Sequence, residues 1–238
     1  MNNPFSLWVY LSATPLLWLT VTLAAWIGAD FLALRAHRHP LANPVLMAII
    51  AVALVLVATG TPYPTYFEGA QFVHFMLGPA TVAIAIPLVR HRKAISDNLV
   101  PLLAALVVGA LVAVLSVVLL GELFGLPKDV LMSVAPKSVT AGVAMGISEK
   151  VGGIPALTAV VVVTTGIFGA VIVTPLMNML RITDYAARGF AAGLAAHGIG
   201  TARAFNVHPL AGTFAGIALG LNAVVTAFIV PPVVAWLV

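Results

Sequence analysis

A lysine stands between a proline and a serine in an almost uncharged stretch of this chain, Pro136-Lys137-Ser138-Val139-Thr140. Hydrocarbon penalises a buried ammonium by about 2.5–3.5 kcal/mol. A lysine kept there points to a polar partner or a ligand. Pro136 has no N–H to donate and suits a break or the first turn of a helix. A half-helix starting there would offer free N–H groups and the positive end of its dipole to an anion. Lys137 adds a full charge, and Ser138 and Thr140 add hydroxyl donors, so the group suits a small carboxylate. Two other accounts of Lys137 stay open: snorkelling to the membrane surface, or pairing with Asp129 or Glu149.

A second polar run lies further on, Ala196-His197-Gly198-Ile199-Gly200-Thr201-Ala202-Arg203. Arginine binds a carboxylate through two parallel hydrogen bonds, and histidine exchanges a proton near neutral pH. The alternative is a histidine satisfied beside close-packed backbone, with Arg203 at the interface. Asn178 and Asn222 read as hydrogen bonds between helices, and Gly212, Gly216 and Gly220 as a close-packing stripe for an internal partner or a second subunit. The six histidines lack metal-ligand spacing, and with no cysteines neither disulfides nor thiolate sites are available. No cofactor is expected. No nucleotide-binding motif and no nucleophile–base pair is present, so the chain is not expected to be an enzyme or an ATP-driven pump.

These residues need elements that can hold them in lipid. Hydrophobic residues make up 62% of the 238 and charged residues 8%, with mean hydropathy +1.13. A soluble domain carries about 25% charged residues. The surplus is too large for one aqueous core, and continuous apolar runs such as Leu99–Leu120 exclude the alternation of a barrel. The expected fold is therefore an all-α polytopic membrane protein, one transmembrane domain over 1–238. The net charge of +4 does not suggest nucleic acid, because the basic residues sit in short loops as membrane orientation requires. The first apolar stretch has no basic region before it, so a cleaved signal peptide is not expected.

Seven to eight apolar segments are expected: Leu7–Ile27, Pro44–Thr59, Gln71–Val89 after a loop at Gly60–Ala70, Leu99–Leu120, Val130–Ile147, Ile154–Leu180, Ala186–Ala202 and Leu210–Leu237. Loop charge places Arg35, Arg38, Arg90, Arg92, Lys93, Arg181 and Arg188 on the cytoplasmic side, and Glu68 and Glu122 outside. Two segments then lie between Glu122 and Arg181 where one crossing is required. The simplest resolution is that the fifth segment enters, breaks near Pro136 and returns at Gly152-Gly153. The seventh would mirror it from the other side, breaking at His197–Gly200. Irregular backbone at membrane depth is tolerated where it is buried or lines a cavity. The alternative is that all eight cross. A short echo, Gly78-Pro79-Ala80-Thr81-Val82 against Ala135-Pro136-Lys137-Ser138-Val139, suggests repeat-like halves near 1–125 and 126–238.

The motifs above, with Gly152-Gly153-Ile154-Pro155-Ala156-Leu157-Thr158-Ala159, Ala186-Ala187-Arg188-Gly189 and Leu77–Ala83, resemble the LrgB/CidB family of bacterial inner-membrane proteins over essentially the whole chain. Ala196 stands where that family often has serine, and Ala141-Gly142 where it often has threonine or alanine followed by proline. The resemblance implies two functions. One is an antiholin-like or holin-associated factor that modulates murein hydrolases and lysis with a small LrgA/CidA-like membrane partner. The other, by similarity to the plastidic glycolate/glycerate translocator and bacterial pyruvate-uptake systems, is transport of small monocarboxylates by alternating access. The second is expected, because a pore of apolar helices has no need of Lys137. Lys137 and the N–H groups after Pro136 would bind the carboxylate. Ser138, Thr140 and Thr81, after Pro79, would contact the adjacent oxygen. His197, Thr201 and Arg203, set among Gly198 and Gly200, would complete the site or carry a proton. A homo-oligomer is expected.

Overall fold

A computed structural model describes residues 14–76, 79, 82–83, 89 and 92–237. Among these described residues the chain is helical and carries no strand. Its contacts gather into two units, Met1–Ala85 and Ile86–Val238.

The first unit holds α1 (Pro15–Arg35), α2 (Pro44–Thr59) and α3 (Tyr63–Phe75). Proline in the first turn starts all three, where its missing N–H costs nothing. The Asn43 side chain accepts from the N–H groups of Val45 and Leu46, and Gly60 at φ +64° ends α2. Trp18 is fully buried, with its ring edge against Tyr66 at 6.0 Å. Two expectations change here. α1 runs eight residues past Ile27 to Arg35, because Asp30 pairs with Arg38 and its charge is tolerated inside the helix. The loop expected at Gly60–Ala70 is largely helix. Pro62 and Pro64 read as a turn, but they open α3.

The second unit holds α4 (Arg92–Asp97), α5 (Leu99–Leu123), α6 (Lys128–Val134), α7 (Ala141–Val151), α8 (Pro155–Met179), α9 (Tyr185–Val207) and α10 (Pro209–Leu237). Among the described residues, four helices are long and apolar enough to cross a membrane: α1, α5, α8 and α10. At 1.5 Å per residue, the 25 residues of α5 or α8 span about 37 Å, more than a hydrocarbon core of about 30 Å. α2 is a shorter apolar helix. The expected count of seven to eight apolar segments is thus not confirmed: the fifth and seventh are interrupted, as expected, and most of the second half of the third lies outside the described residues.

The fifth segment goes out and comes back. α6 ends in a turn at 135–140, and α7 then returns to where α6 stood. The Ile154 N–H donates to Ser133 Oγ at 2.7 Å. Thr158 Oγ1 lies 2.9 Å from the Ser133 carbonyl and 2.7 Å from Ser148 Oγ. All three hydroxyl residues are fully buried. The two glycines at the return have separate jobs. Gly152 sits at φ +91° and caps α7, and a Cβ on Gly153 would meet Ser148 Oγ and the backbone of Met132 and Ser133.

The seventh segment also folds on itself. Ala196 (φ −126°, ψ 18°) and His197 (φ 40°, ψ −132°) leave helical geometry inside α9 and split it into arms 185–195 and 198–207. The Tyr185 ring, at the start, stacks on the His208 ring, just past the end, with centroids 4.2 Å apart and planes 5° from parallel. A Cβ on Gly200 would strike the Ala192 carbonyl of the opposite arm. The first arm runs alongside α10 in the same direction: Gly189 and Gly193 abut the carbonyls of Ala211 and Ala215. The second arm runs the other way, Phe205 lying over Gly212.

α8 separates the two hairpins. The first opens at its N-terminal end, beside Ile154, and the second follows its C-terminal end. The first packs on the C-terminal halves of α5 and α10, in a core that includes Val118, Val139, Ala144, Val162 and Val230. The second packs on their N-terminal halves, through Leu106, Phe190, Leu194, Phe214 and Ile217. Arms of about ten residues reach about 15 Å, half the depth of a bilayer core. Arg181 and the start of α5 thus lie at one end of the unit and Glu122 at the other, the parity that loop charge required.

This geometry fixes where added cysteines react, since the chain has none of its own. Lys128→Cys and Lys150→Cys should label with an impermeant thiol reagent from one face of the membrane, and Thr183→Cys and Asn206→Cys from the other. Labelling of Lys128→Cys and Lys150→Cys from opposite faces would show that α6–α7 crosses. Packing gives a second expectation. Gly193→Val should cost about 2–3 kcal/mol or prevent folding, because its side chain enters the Ala215 backbone. Gly220→Ala, where a Cβ meets nothing within 4 Å, should leave the melting temperature of purified protein within a few degrees.

Candidate functional site

Asn222, the fourteenth of the 29 residues of α10, lies where the two tips meet. It is fully buried. Its amide nitrogen donates to the Ser138 carbonyl of the first tip at 3.2 Å and to the Leu194 carbonyl below the second at 3.1 Å. Its oxygen accepts from Thr226 Oγ1 at 3.1 Å. Both donors and the acceptor are therefore used, and the amide's orientation is fixed by what surrounds it.

At the first tip Pro136, Ser138 and Val139 are buried, and Lys137 and Thr140 are partly exposed. Lys137 Nζ lies 3.5 Å from Ser138 Oγ. Among the described residues no carboxylate oxygen comes within 4 Å of its ammonium, so the pairing with Asp129 or Glu149 is not made. The half-helix expected to start at Pro136 starts instead at Ala141. The Lys137 and Val139 N–H groups are spent within the turn, on the carbonyls of Val134 and Pro136. α7 makes its first internal bond from Ala144 N–H to the Thr140 carbonyl at 2.8 Å. The N–H groups of Ala141, Gly142 and Val143 precede that bond and point out of the helix start, four residues and more beyond Lys137. The Thr140 side chain does not cap them.

At the second tip the His197 ring is buried, and its Nε2 lies 2.9 Å from the Val162 carbonyl. A carbonyl only accepts, so Nε2 carries a proton and donates it. Gly166 makes room for the imidazole: a Cβ there would lie 2.6 Å from Cε1. Thr201 donates back to the His197 carbonyl at 2.8 Å. His197 and Thr201 thus hold the bend, which keeps a non-glycine residue at positive φ at a cost of about 1–3 kcal/mol. Gly198 faces open space and Gly200 the opposite arm.

Arg203 lies elsewhere. It is six residues, about 9 Å of helix, beyond His197. Its Nε is 3.4 Å from Thr174 Oγ1. Arg188 reaches the same stretch of α8, donating to Asn178 Oδ1 at 2.7 Å and to the Thr174 carbonyl at 3.4 Å. The two arginines gather near the C-terminal end of α8, while Lys137 and Ser138 stand at the tip held by Asn222. Pro79 is exposed and belongs to the first unit, and Thr81 lies outside the described residues. The glycine stripe divides: Gly212 meets Phe205, Gly216 is buried in its helix and Gly220 faces open space.

Two sets of contacts are not read from the sequence, although Thr158 and Gly189 stand in motifs quoted above. Ser133, Ser148 and Thr158 clasp the base of the first hairpin, and Gly189 and Gly193 seat the second on α10. The latter pair carried a signal, two glycines four apart on one helix face. The hydroxyls carried none beyond being polar in an apolar run.

At the first tip, then, one ammonium stands beside one hydroxyl, with a helix start a few residues on. Those groups suit a single carboxylate. Among the described residues, no group of three or more His, Asp or Glu is placed to hold a metal ion.

Comparison with known proteins agrees with the architecture's membrane character. The model of the LrgB-like family matches residues 22–236. The chain is 30% identical over 197 residues to the "Holin-like protein CidB" of Staphylococcus aureus, covering 83% of this chain and 86% of that protein. It is 31% identical over 195 residues to the protein of the same name in Staphylococcus epidermidis, covering 82% and 85%. It is 34% identical over 208 residues to the "Uncharacterized protein YwbG" of Bacillus subtilis, covering 87% and 92%. No solved structure matches. A family match over nearly all of the chain, on a multi-pass apolar architecture, makes this a membrane protein of the LrgB-like family.

Proposed function

We propose that the chain passes small monocarboxylates of the glycolate, glycerate, lactate or pyruvate type across the bacterial inner membrane. The observation that carries this reading is the position of Lys137: an ammonium without a carboxylate partner among the described residues, at the tip of a half-depth hairpin. Lys137 binds the carboxylate, and Ser138 contacts the adjacent hydroxyl or keto oxygen. The start of α7 adds its dipole. The two hairpins open toward opposite faces, so movement of one tip exposes the site to one face and movement of the other exposes it to the other. His197 and Thr201 serve by holding the second tip in its bend. Arg188 and Arg203 attract anions toward the α8 C-terminal end. No covalent chemistry is required of any residue, and the chain is not an enzyme on this reading. A small LrgA/CidA-like membrane protein is its partner, and it assembles with copies of itself.

The relatives' names favour a second reading. Two are called holin-like, which suggests a protein that alters membrane permeability and, through it, murein hydrolase activity and lysis. The comparisons give this reading more support than the transport reading, whose support is the site alone. The two differ in selectivity. Purified protein in liposomes, with and without the small partner, should take up labelled glycolate or pyruvate, and Lys137→Met should lower that uptake at least tenfold. Full uptake by Lys137→Met would remove the site from the account. Release of unrelated solutes of similar size, with no carboxylate preference, would establish the holin-like reading in its place.

A further inference from the structure

We infer that Asn222 couples the two hairpin tips, so that neither leaves its closed position without disturbing the hold on the other. For transport the inference rests on the reading above, but the coupling itself is a property of the fold.

The geometry is that of one amide shared between two hairpins. The hairpins come from opposite ends of the unit and have separate bases, a hydroxyl clasp at one and a ring stack at the other. At mid-depth they share Asn222. One amide nitrogen holds Ser138, next to Lys137, and also Leu194, three residues before His197. Thr226 fixes which end of the amide is the nitrogen. Each carbonyl belongs to a segment where the helix ladder fails or is about to. In a dry interior each therefore needs a donor from elsewhere. When one tip moves, it takes its carbonyl from Asn222, and the amide, tethered on the other side by Leu194 or Ser138, must shift or lose a bond. Asn222 is thus a positioning residue, acting on Lys137 through the Ser138 backbone rather than touching substrate.

The test reads the tips directly and does not depend on uptake. Val139→Cys reports the first tip and Ala196→Cys the second. Ala33→Cys, in α1, reports general loosening. Val139, Ala196 and Ala33 are all buried. In bilayers, each should react slowly with a small water-soluble methanethiosulfonate. Asn222→Asp replaces both donors by oxygen at nearly the same size. It should speed labelling at both tips about tenfold, the scale of one to two lost hydrogen bonds, and leave Ala33→Cys unchanged. Thr226→Val, which frees the amide to turn, should raise both tips together by a smaller factor and so serves if Asn222→Asp does not fold. Acceleration at one tip alone, at neither, or equally at all three reporters would overturn the coupling. In a preparation that transports, Asn222→Asp should reduce maximal uptake while leaving the half-saturating concentration within about twofold. Absence of uptake in every variant would remove the transport reading and leave the labelling result standing.

Discussion

Lipid offers no hydrogen bonds, so every place where a helix breaks inside the membrane must find its partners within the protein. Most of the second unit answers that demand. Among its described residues two apolar segments break midway, at 135–140 and at Ala196-His197, and side chains supply what the helix ladder no longer provides. Asn222 serves the Ser138 and Leu194 carbonyls, the His197 ring donates to Val162, and Thr201 donates to His197. The clasp of Ser133, Ser148 and Thr158 does the same at the base of the first hairpin. Among the described residues no buried side-chain nitrogen or oxygen is left without a partner. These are neutral hydrogen bonds worth about 1 kcal/mol each in net terms, but each would leave a costly orphan if its partner were removed. Their importance lies in what their loss would cost.

Lys137 is the exception to this closed accounting. It is the one lysine at a tip, beside a hydroxyl rather than a carboxylate. On the transport reading proposed above, an ammonium beside a single hydroxyl is kept for a carboxylate that comes and goes. The two readings proposed above differ over whether passage is selective.

Much of the second unit was legible in the sequence. Charge parity between Glu122 and Arg181 required one crossing where two apolar segments stood, and the folded-back fifth segment resolves it. Gly152-Gly153 marked the return and His197-Gly198 the second break. What escaped was local or long-range. Pro136 is a breaker wherever it sits, and its type alone does not say whether the next helix starts at once or at Ala141. That depends on the Lys137 and Val139 N–H groups closing turns first. The distance of Arg203 from Lys137 follows from the direction of the second arm, which the sequence does not encode until the bend at His197 is known. Tyr63 and Pro64 fall in the loop expected at Gly60–Ala70 because proline punctuates turns and helix starts alike. Asn222 reads in sequence as a helix–helix hydrogen bond; that it holds both tips at once depends on contacts 84 and 28 residues away in sequence.

The parallel seating of Gly189 and Gly193 on Ala211 and Ala215 bears on how the protein is made. Ribosomes deliver the chain in order, so the second hairpin emerges before the helix it lies on. Neither arm is long enough to span a bilayer by itself. Until α10 follows, the Leu194 carbonyl lacks Asn222 and the glycine face lacks its bed. The first hairpin waits as well, because Ser138 depends on the same asparagine. α10 follows both hairpins in the chain and completes both, so the packing of this unit waits on it.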